Sequence, residues 1–582
     1  MLADKDVTRR KDKRKRIHFL CEGLFLLAVL AIIIDALFIF STYQPYDDGD
    51  VATDKDRGFV ALSYFGVDRT GTNDLIGVDL LDEHLAALHK NGYVTLTGKD
   101  IQDYYHSGKA LPKHALFLNF EDGRRDTIVF AEKLLEKYNY HAAISTYADN
   151  LSGNDSKFLR PDELNALTKQ GYWELGTNGY RLYYINVFDR WHHYLGNMNP
   201  VVYSHLTSVL GRDYNHYLMD YVRDDKNFPV ETYQVMKDRI SDDYTMLRDT
   251  YTEDIGYVPE IYTLMHANTG RFGNHEDVSR VNEKWIRKLF KMNFNREGDS
   301  HNDRQSSIYD LTRMEPRAYW PVNHLLMRIH DDGADDIRFE KGDVDQYAQW
   351  DVEDGAAEFK NEAIYLTTAG KGKGQMSLKG KDDFQNLRLT TRLNQELQKV
   401  DLQLFDGQDY LSEDEDKKEV ASTERQVLAR YGANANMIQK QPGRLAEVEN
   451  EEARTVAEGS PEYRPTLSYH KRGNRQLNIE LRDDLLSVNI DGRPAASNVI
   501  VSDLDAGRLV LGAQWPGYGY SQTNLADDVY DAVFDGLKVT EWAANESEGA
   551  VLYDVHYQGW QKWKYKARIW WRKVLDWTLA HF

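Results

Sequence analysis

The chain has 582 residues, too many for one ordinary core, so its length points to two to four domains. Its apolar share of 41% excludes wholesale disorder. A net charge of −21 argues against nucleic acid as a partner, and a single cysteine, Cys21, excludes an intrachain disulfide.

Charge is unevenly spread. Residues 1–16 carry eight Lys/Arg against three Asp, a balance of +5 that leaves −26 for the rest. From Gly23 to Phe40 the chain is apolar apart from Asp35, about the length needed to span ~30 Å of hydrocarbon. Phe40-Ser41-Thr42-Tyr43 makes a poor signal-peptidase site, so the expectation is a transmembrane anchor over residues 17–42. Basic residues precede the span, whereas Asp47, Asp48, Asp50, Asp54 and Asp56 follow it. The positive-inside rule then predicts a single-pass cell-membrane protein, with residues 1–16 cytoplasmic and the bulk extracytoplasmic. Residues 43–57 read as a linker.

Over residues 58–335 short apolar runs alternate with amphipathic stretches. Phe59–Tyr64 reads as a strand, and Leu80, Leu81, Leu85 and Leu88 fall at helical spacing before Gly92. Strands follow at Tyr93–Leu96, Ala115–Asn119, His141–Thr146 and Glu174–Thr177, with helices at Thr127–Lys137 and from Pro161. Such alternation predicts parallel strands with crossover helices, and chemistry at the strands' C-terminal ends. Between Tyr180 and Tyr262 lie thirteen tyrosines in a segment read as mostly helical; so many rings suit a cleft for sugars as well as a core.

The third strand ends in Asn119-Phe120-Glu121-Asp122-Gly123, two adjacent carboxylates on a Gly-closed turn. With Ala61-Leu62-Ser63-Tyr64, Gly92-Tyr93-Val94-Thr95-Leu96, Leu111-Pro112-Lys113, Leu164–Leu167, Glu174-Leu175-Gly176, Lys291–Phe294 and Leu311-Thr312-Arg313-Met314, this order resembles the polysaccharide deacetylase family. That family is the NodB-homology group, carbohydrate esterase family four, and the likeness covers about half of the chain. It implies a deformed (β/α) barrel and removal of acetyl groups from N-acetyl sugars. An Asp base and a divalent, zinc-like metal held by a second Asp and two histidines would carry that chemistry.

The resemblance implies Glu121 as the base and Asp122 as a metal ligand, with Glu121 standing where the family has Asp. In Gly176-Thr177-Asn178-Gly179-Tyr180-Arg181-Leu182, Asn178 and Leu182 replace the two histidines, and an amide is a poor stand-in for imidazole. His266, before the altered turn Asn268-Thr269-Gly270, is the best-placed substitute ligand; His192, His193, His324 and His330 are weaker candidates. Asn178, Tyr180, Arg181, His266, Asn268 and Arg296 are the expected substrate-binding residues, Arg296 together with Glu297 and Arg328 adding charge near the barrel top.

After a linker at 336–355 the pattern changes. Leu387–Leu393, Leu477–Leu481 and Leu486–Ile490 alternate strictly, and Asp491-Gly492 marks a hairpin turn. Residues 356–545 resemble a concanavalin/laminin-G-type jelly-roll β-sandwich, interrupted by a charged insertion near 406–464. The end of the chain, 556–582, is rich in tryptophan and basic residues; Trp560, Trp563, Ala567, Trp570, Trp571, Val574 and Leu575 form one helical stripe suited to a membrane interface.

Three functions compete at this level. One is a deacetylase with an altered metal site. Another is a non-catalytic barrel that binds or guides polysaccharide beside a membrane glycosyltransferase or export complex. The last is a glycoside hydrolase using Glu121, Asp122 or Glu174.

Overall fold

The computed structural model describes residues 39–581, apart from 48, 50, 52–56, 73, 154, 190–192, 207–214, 266–270, 334–335, 381–385, 394–398, 406–474, 483–484, 491, 501–507, 515–526 and 542–548, together with scattered positions from 18 to 30. The expected anchor is overturned: among the described residues no helix is long and apolar enough to cross a membrane. The single-pass cell-membrane localisation and its orientation fall with it. Asp35, like much of 17–42, lies outside the described residues, as does the charged insertion near 406–464.

Eight strands build the first unit: β1 (Phe59–Tyr64), β2 (Val94–Thr95), β3 (Ala115–Phe120), β4 (Ala142–Tyr147), β5 (Trp173–Gly179), β6 (Ile261–Thr263), β7 (Met292–Glu297) and β8 (Leu311–Arg313). Every pairing among them is parallel. One edge of β3 takes β1; the other takes β2 at its start and β4 at its end, which deforms the sheet. A parallel bridge from Leu62 to Met314 closes the barrel between β1 and the end of β8.

Strands β1, β3 and β4 are buried along their whole length, as continuous apolar runs of parallel sheets are. Their period-two alternation divides two cores. Val60, Leu62, Leu116, Leu118, Phe120 and Ile144 pack with the helices α1 (Val78–Lys90) and α3 (Arg125–Tyr138). Phe59, Ala61, Ala115, Phe117, Ala143 and Phe294 form the other cluster, with Phe117 stacked on Phe294 at 4.9 Å. The same inward rows continue upward as Ser63, Asn119, Glu121 and Ser145. The barrel is therefore plugged by apolar side chains below and lined by polar ones above. Between β2 and β3, α2 (Gly98–Ser107) starts on a Thr97–Asp100 capping box and stops at Gly108 in the left-handed region.

The insertion after β5 is mixed rather than mostly helical. Tyr184–Phe188 pairs antiparallel with Tyr194–Met198 on one edge and with Asn215–His216 on the other, before the long helix α4 (Tyr233–Asp254). Aromatic and β-branched residues such as Tyr184, Ile185 and Val187 favour this pairing over a helix. Helices α5 (Glu276–Leu289) and α6 (Val322–Asp331) complete the unit.

The second unit is an antiparallel sandwich. One sheet runs Trp350–Asp354, Lys373–Leu378, Arg508–Gln514, Lys399–Phe405; the other contains Ala356–Lys360, Ala363–Thr367, Asp531–Glu541, Leu387–Leu393, Arg475–Arg482, Leu485–Ile490 and Arg493–Ile500. A common core including Trp350, Met376, Leu389, Ile479, Leu511 and Phe534 joins the sheets. The units meet at α6, where Met327 packs on Ala356 and Val529. Buried His324 bonds Asp531 Oδ2 at 2.6 Å and Asp527 Oδ2 at 2.9 Å. The chain ends in α7 (Gly559–His581).

Candidate functional site

The polar layer on top of the barrel is a connected chain. Ser145 Oγ donates to Asn119 Oδ1 at 2.8 Å, Asn119 Nδ2 to Ser63 Oγ at 2.9 Å, and Ser63 Oγ to Glu121 Oε1 at 2.6 Å. The backbone N–H of Glu121 donates to the Tyr64 carbonyl at 2.9 Å, which prolongs the β1–β3 ladder by one residue and turns the Glu121 side chain inward. Glu121 is 2% exposed.

A carboxylate this deep needs a counter-charge. Arg313, on β8 and 1% exposed, supplies it: Nε donates to Glu121 Oε1 at 2.8 Å. The same guanidinium reaches Glu297 Oε1 at 3.2 Å and Glu315 Oε1 at 3.1 Å. Burial alone would depress the Arg313 pKa, but Glu121, Glu297 and Glu315 raise it above its ordinary value. Burial, reinforced by Glu297 and Glu121, pushes Glu315 up to about 7.

Asp122 follows in the left-handed region at φ 69°, with Gly123 at φ 59°. A Cβ on Gly123 would lie 2.5 Å from the Thr146 side chain, so this tight turn needs glycine. Burial lifts Asp122 to about 7, Arg124 opposing and Glu121 reinforcing the shift. Its backbone N–H donates to Asn178 Oδ1 at 3.3 Å, while Asn178 Nδ2 faces Glu121 Oε2 at 3.4 Å and Met265 Sδ at 3.5 Å. Glu121, Asp122 and Asn178 are thus brought together as expected from the motifs.

The remaining expected residues scatter. Arg181 binds Asp243 Oδ2 at 3.2 Å and lies over the Tyr217 ring at 4.8 Å and the Tyr180 ring at 5.5 Å. Arg296 forms a two-pronged ion pair with Asp310, at 3.0 and 2.6 Å, on the outer side of β7. His266, Asn268 and His192 lie outside the described residues. His193 is exposed beside Asp189, and His324 serves the contact with the sandwich. Glu174 sits at the opposite, N-terminal end of β5, where it accepts from the Gly98 N–H at 2.7 Å and lies 3.1 Å from His141 Nε2.

Among the described residues, the two positions where the resemblance implies histidine ligands hold Asn178 and Leu182. Asn178 engages Glu121 and the Asp122 backbone, and Leu182 packs with Tyr184, Val187 and Met198 in a separate apolar cluster. Arg313 already occupies Glu121 Oε1. Among the described residues no group of three or more His, Cys, Asp or Glu is arranged to hold a metal ion.

Sequence reasoning gave Arg313 no role and missed Glu315. The available signal was an arginine between Leu311 and Met314 in the closing strand segment, which must find acidic partners once buried.

No family model matches the chain, and no curated protein matches it in sequence. A comparison with solved structures does find matches. A deacetylase, PplD, of Streptococcus pyogenes in complex with acetate is 12% identical, over 47% of this chain and 99% of that one, with a TM-score of 0.33. A de-N-acetylase from Aggregatibacter actinomycetemcomitans is 18% identical, over 45% of this chain and 95% of that one, with a TM-score of 0.34. A legume lectin-like domain from Entamoeba histolytica is 12% identical, over 34% of this chain and 91% of that one, with a TM-score of 0.18.

Proposed function

We propose that the chain is a glycan-binding protein of the polysaccharide deacetylase type, acting in the modification or secretion of an exopolysaccharide or cell-envelope glycan without metal-dependent deacetylation. The resemblance of Asn119–Gly123 and its flanking motifs supports the glycan class. The observation that carries the loss of deacetylation is the buried Arg313–Glu121 pair beside Asn178. Glu121 Oε1 is occupied by Arg313 Nε and Ser63 Oγ and Oε2 faces Asn178, and among the described residues the adjacent groups include no imidazole. Tyr180 and the Arg181–Tyr217 stack offer ring faces and donors to sugar rings near the same strand end.

One observation favours a second reading. Asp122, adjacent to Glu121 and lifted by burial to about 7, has the disposition of a general acid for glycosidic cleavage. A single set of measurements separates the readings: the purified chain is titrated with poly-N-acetylglucosamine oligomers and assayed for acetate and for reducing ends. The expected result is saturable binding with neither product. Acetate release lost in Asp122→Ala overturns the proposal in favour of a deacetylase; reducing ends lost in Glu121→Gln overturn it in favour of a glycosidase.

A further inference from the structure

Helix α7 spans Gly559–His581, and the side-chain hydrogen bonds and ion pair that Tyr565, Arg568 and Arg572 make with the rest of the protein lie on one side. Tyr565 OH donates to the Asn361 carbonyl at 3.3 Å, Arg568 Nη2 donates to Asn361 Oδ1 at 2.6 Å, and Arg572 pairs with Asp79. The Tyr565 ring also meets Tyr557 edge-on at 5.1 Å. At 100° per residue, Tyr565, Arg568 and Arg572 fall within one narrow sector.

The tryptophans fall on the other side. Trp560, Trp563, Trp570 and Trp571 are 80%, 72%, 63% and 58% exposed. Trp570 and Trp571 face each other at 6.4 Å. A helix that used its aromatic stripe as core would have turned it toward the sandwich; here polar groups of Tyr565 and two arginines hold the body and the indoles point outward. Four large rings left in water are costly, and a stripe of this size marks a binding face.

Charge selects what covers it. Within α7 six basic residues, Lys562, Lys564, Lys566, Arg568, Arg572 and Lys573, outweigh Asp576, a balance of +5 on a chain of −21. Lys562, Lys566 and Lys573 flank one border of the indole stripe and Lys564 the other, by the same helical angle. Indoles that sit at headgroup depth between ammonium groups that meet phosphate describe an interfacial helix, one that lies along a lipid surface and does not cross it.

We propose that α7 is a docking helix for an anionic lipid surface, which it meets through Trp560, Trp563, Trp570 and Trp571 while Tyr565, Arg568 and Arg572 hold the body. A second copy of the chain is less suited to cover this face, because its acidic body would have to accept the indoles as well as the lysines.

The test uses the full chain and vesicles of brominated phosphatidylcholine, with and without phosphatidylglycerol. Tryptophan fluorescence is blind to the apolar N-terminal stretch, since the first tryptophan is Trp173. Quenching is expected with the anionic vesicles, weakening as salt rises. The Trp563→Gln/Trp570→Gln/Trp571→Gln variant, in which Trp560 and Trp577 remain as reporters, is expected to bind at least about tenfold more weakly. The Lys562→Glu/Lys566→Glu/Lys573→Glu variant alters exposed residues and retains every tryptophan, so its folding is checked by circular dichroism and its expected loss of quenching is read directly. Equal quenching by neutral vesicles, or unchanged quenching in either variant, overturns the proposal. Self-association that disappears in the tryptophan variant, with no quenching by any vesicle, overturns it in favour of a second copy.

Discussion

Arg313 Nε lies 2.8 Å from Glu121 Oε1, and the two side chains are 1% and 3% exposed. The arginine enters from the last barrel strand and the glutamate from the end of the third, so their pair spans β1 and ties together parts of the chain 192 positions apart. Arg313→Met would leave Glu121, Glu297 and Glu315 around an apolar side chain, at an expected cost of about 3–5 kcal/mol. Glu121→Gln keeps an acceptor for Ser63 and leaves Arg313 two carboxylates, so its expected cost is about 1–2 kcal/mol. Urea denaturation of both variants checks the order. Equal costs would show that the charge pairing contributes little.

Asp122 and Glu315 are both lifted to about 7 by burial. A carboxyl whose folded pKa exceeds its unfolded value gives stability that is complete below the unfolded pKa and is lost as pH rises through the folded one. Stability should therefore fall between pH about 4 and about 7 from these two groups. Asp122→Asn should flatten part of that fall and stabilise the protein above pH 7, by on the order of 2 kcal/mol once solvent at the barrel mouth is allowed for. Melting temperatures across the range provide the check; a parallel profile in the variant would remove Asp122 as the source.

The fold was legible where burial is two-sided. Phe59–Tyr64, Ala115–Phe120 and Ala142–Tyr147 are short, mostly apolar runs alternating with amphipathic helical stretches, and their strand character follows from that alternation. Strict alternation likewise exposed Leu387–Leu393 and Leu485–Ile490. The antiparallel hairpin at Tyr184–Met198 was hidden because aromatic residues satisfy helical and strand periods equally well. At the site, Glu121, Asp122 and Asn178 could be read from adjacent motifs, whereas the Arg313 contacts join residues up to 192 positions apart. No local spacing encodes such a pair. The apolar run at Gly23–Phe40 was read by composition alone, and the transmembrane helix expected from it was not borne out among the described residues.

The family's histidines cannot be restored by substitution alone. Asn178→His removes the acceptor for the Asp122 N–H, and a histidine at 182 would enter the cluster of Tyr184, Val187 and Met198. The double variant Asn178→His/Leu182→His should bind zinc no more tightly than the natural chain by competition with a chromogenic chelator. A tenfold gain in affinity would show that the barrel mouth retains ligand geometry despite Arg313.

The contact between barrel and sandwich should respond to alkali. His324 is fully buried, stacked on Trp320 at 4.3 Å and bonded to Asp527 and Asp531, with Arg328 Nη1 3.7 Å from Asp527. Burial opposes the imidazolium, but Asp527 and Asp531 overcome it and raise His324 from 6.5 to about 9. A histidine raised in this way contributes stability that is complete below 6.5 and is lost as pH climbs through about 9. The same charge holds the Asp527 carboxyl below its usual range against the effect of burial. His324→Gln should cost about 3–5 kcal/mol at neutral pH, because Asp531 would remain buried without a cation. Above pH about 9 the natural chain should approach the variant, whose own profile lacks this step. Urea denaturation from neutral to alkaline pH measures both curves. An alkaline loss of equal size in the variant would assign the transition to groups other than His324.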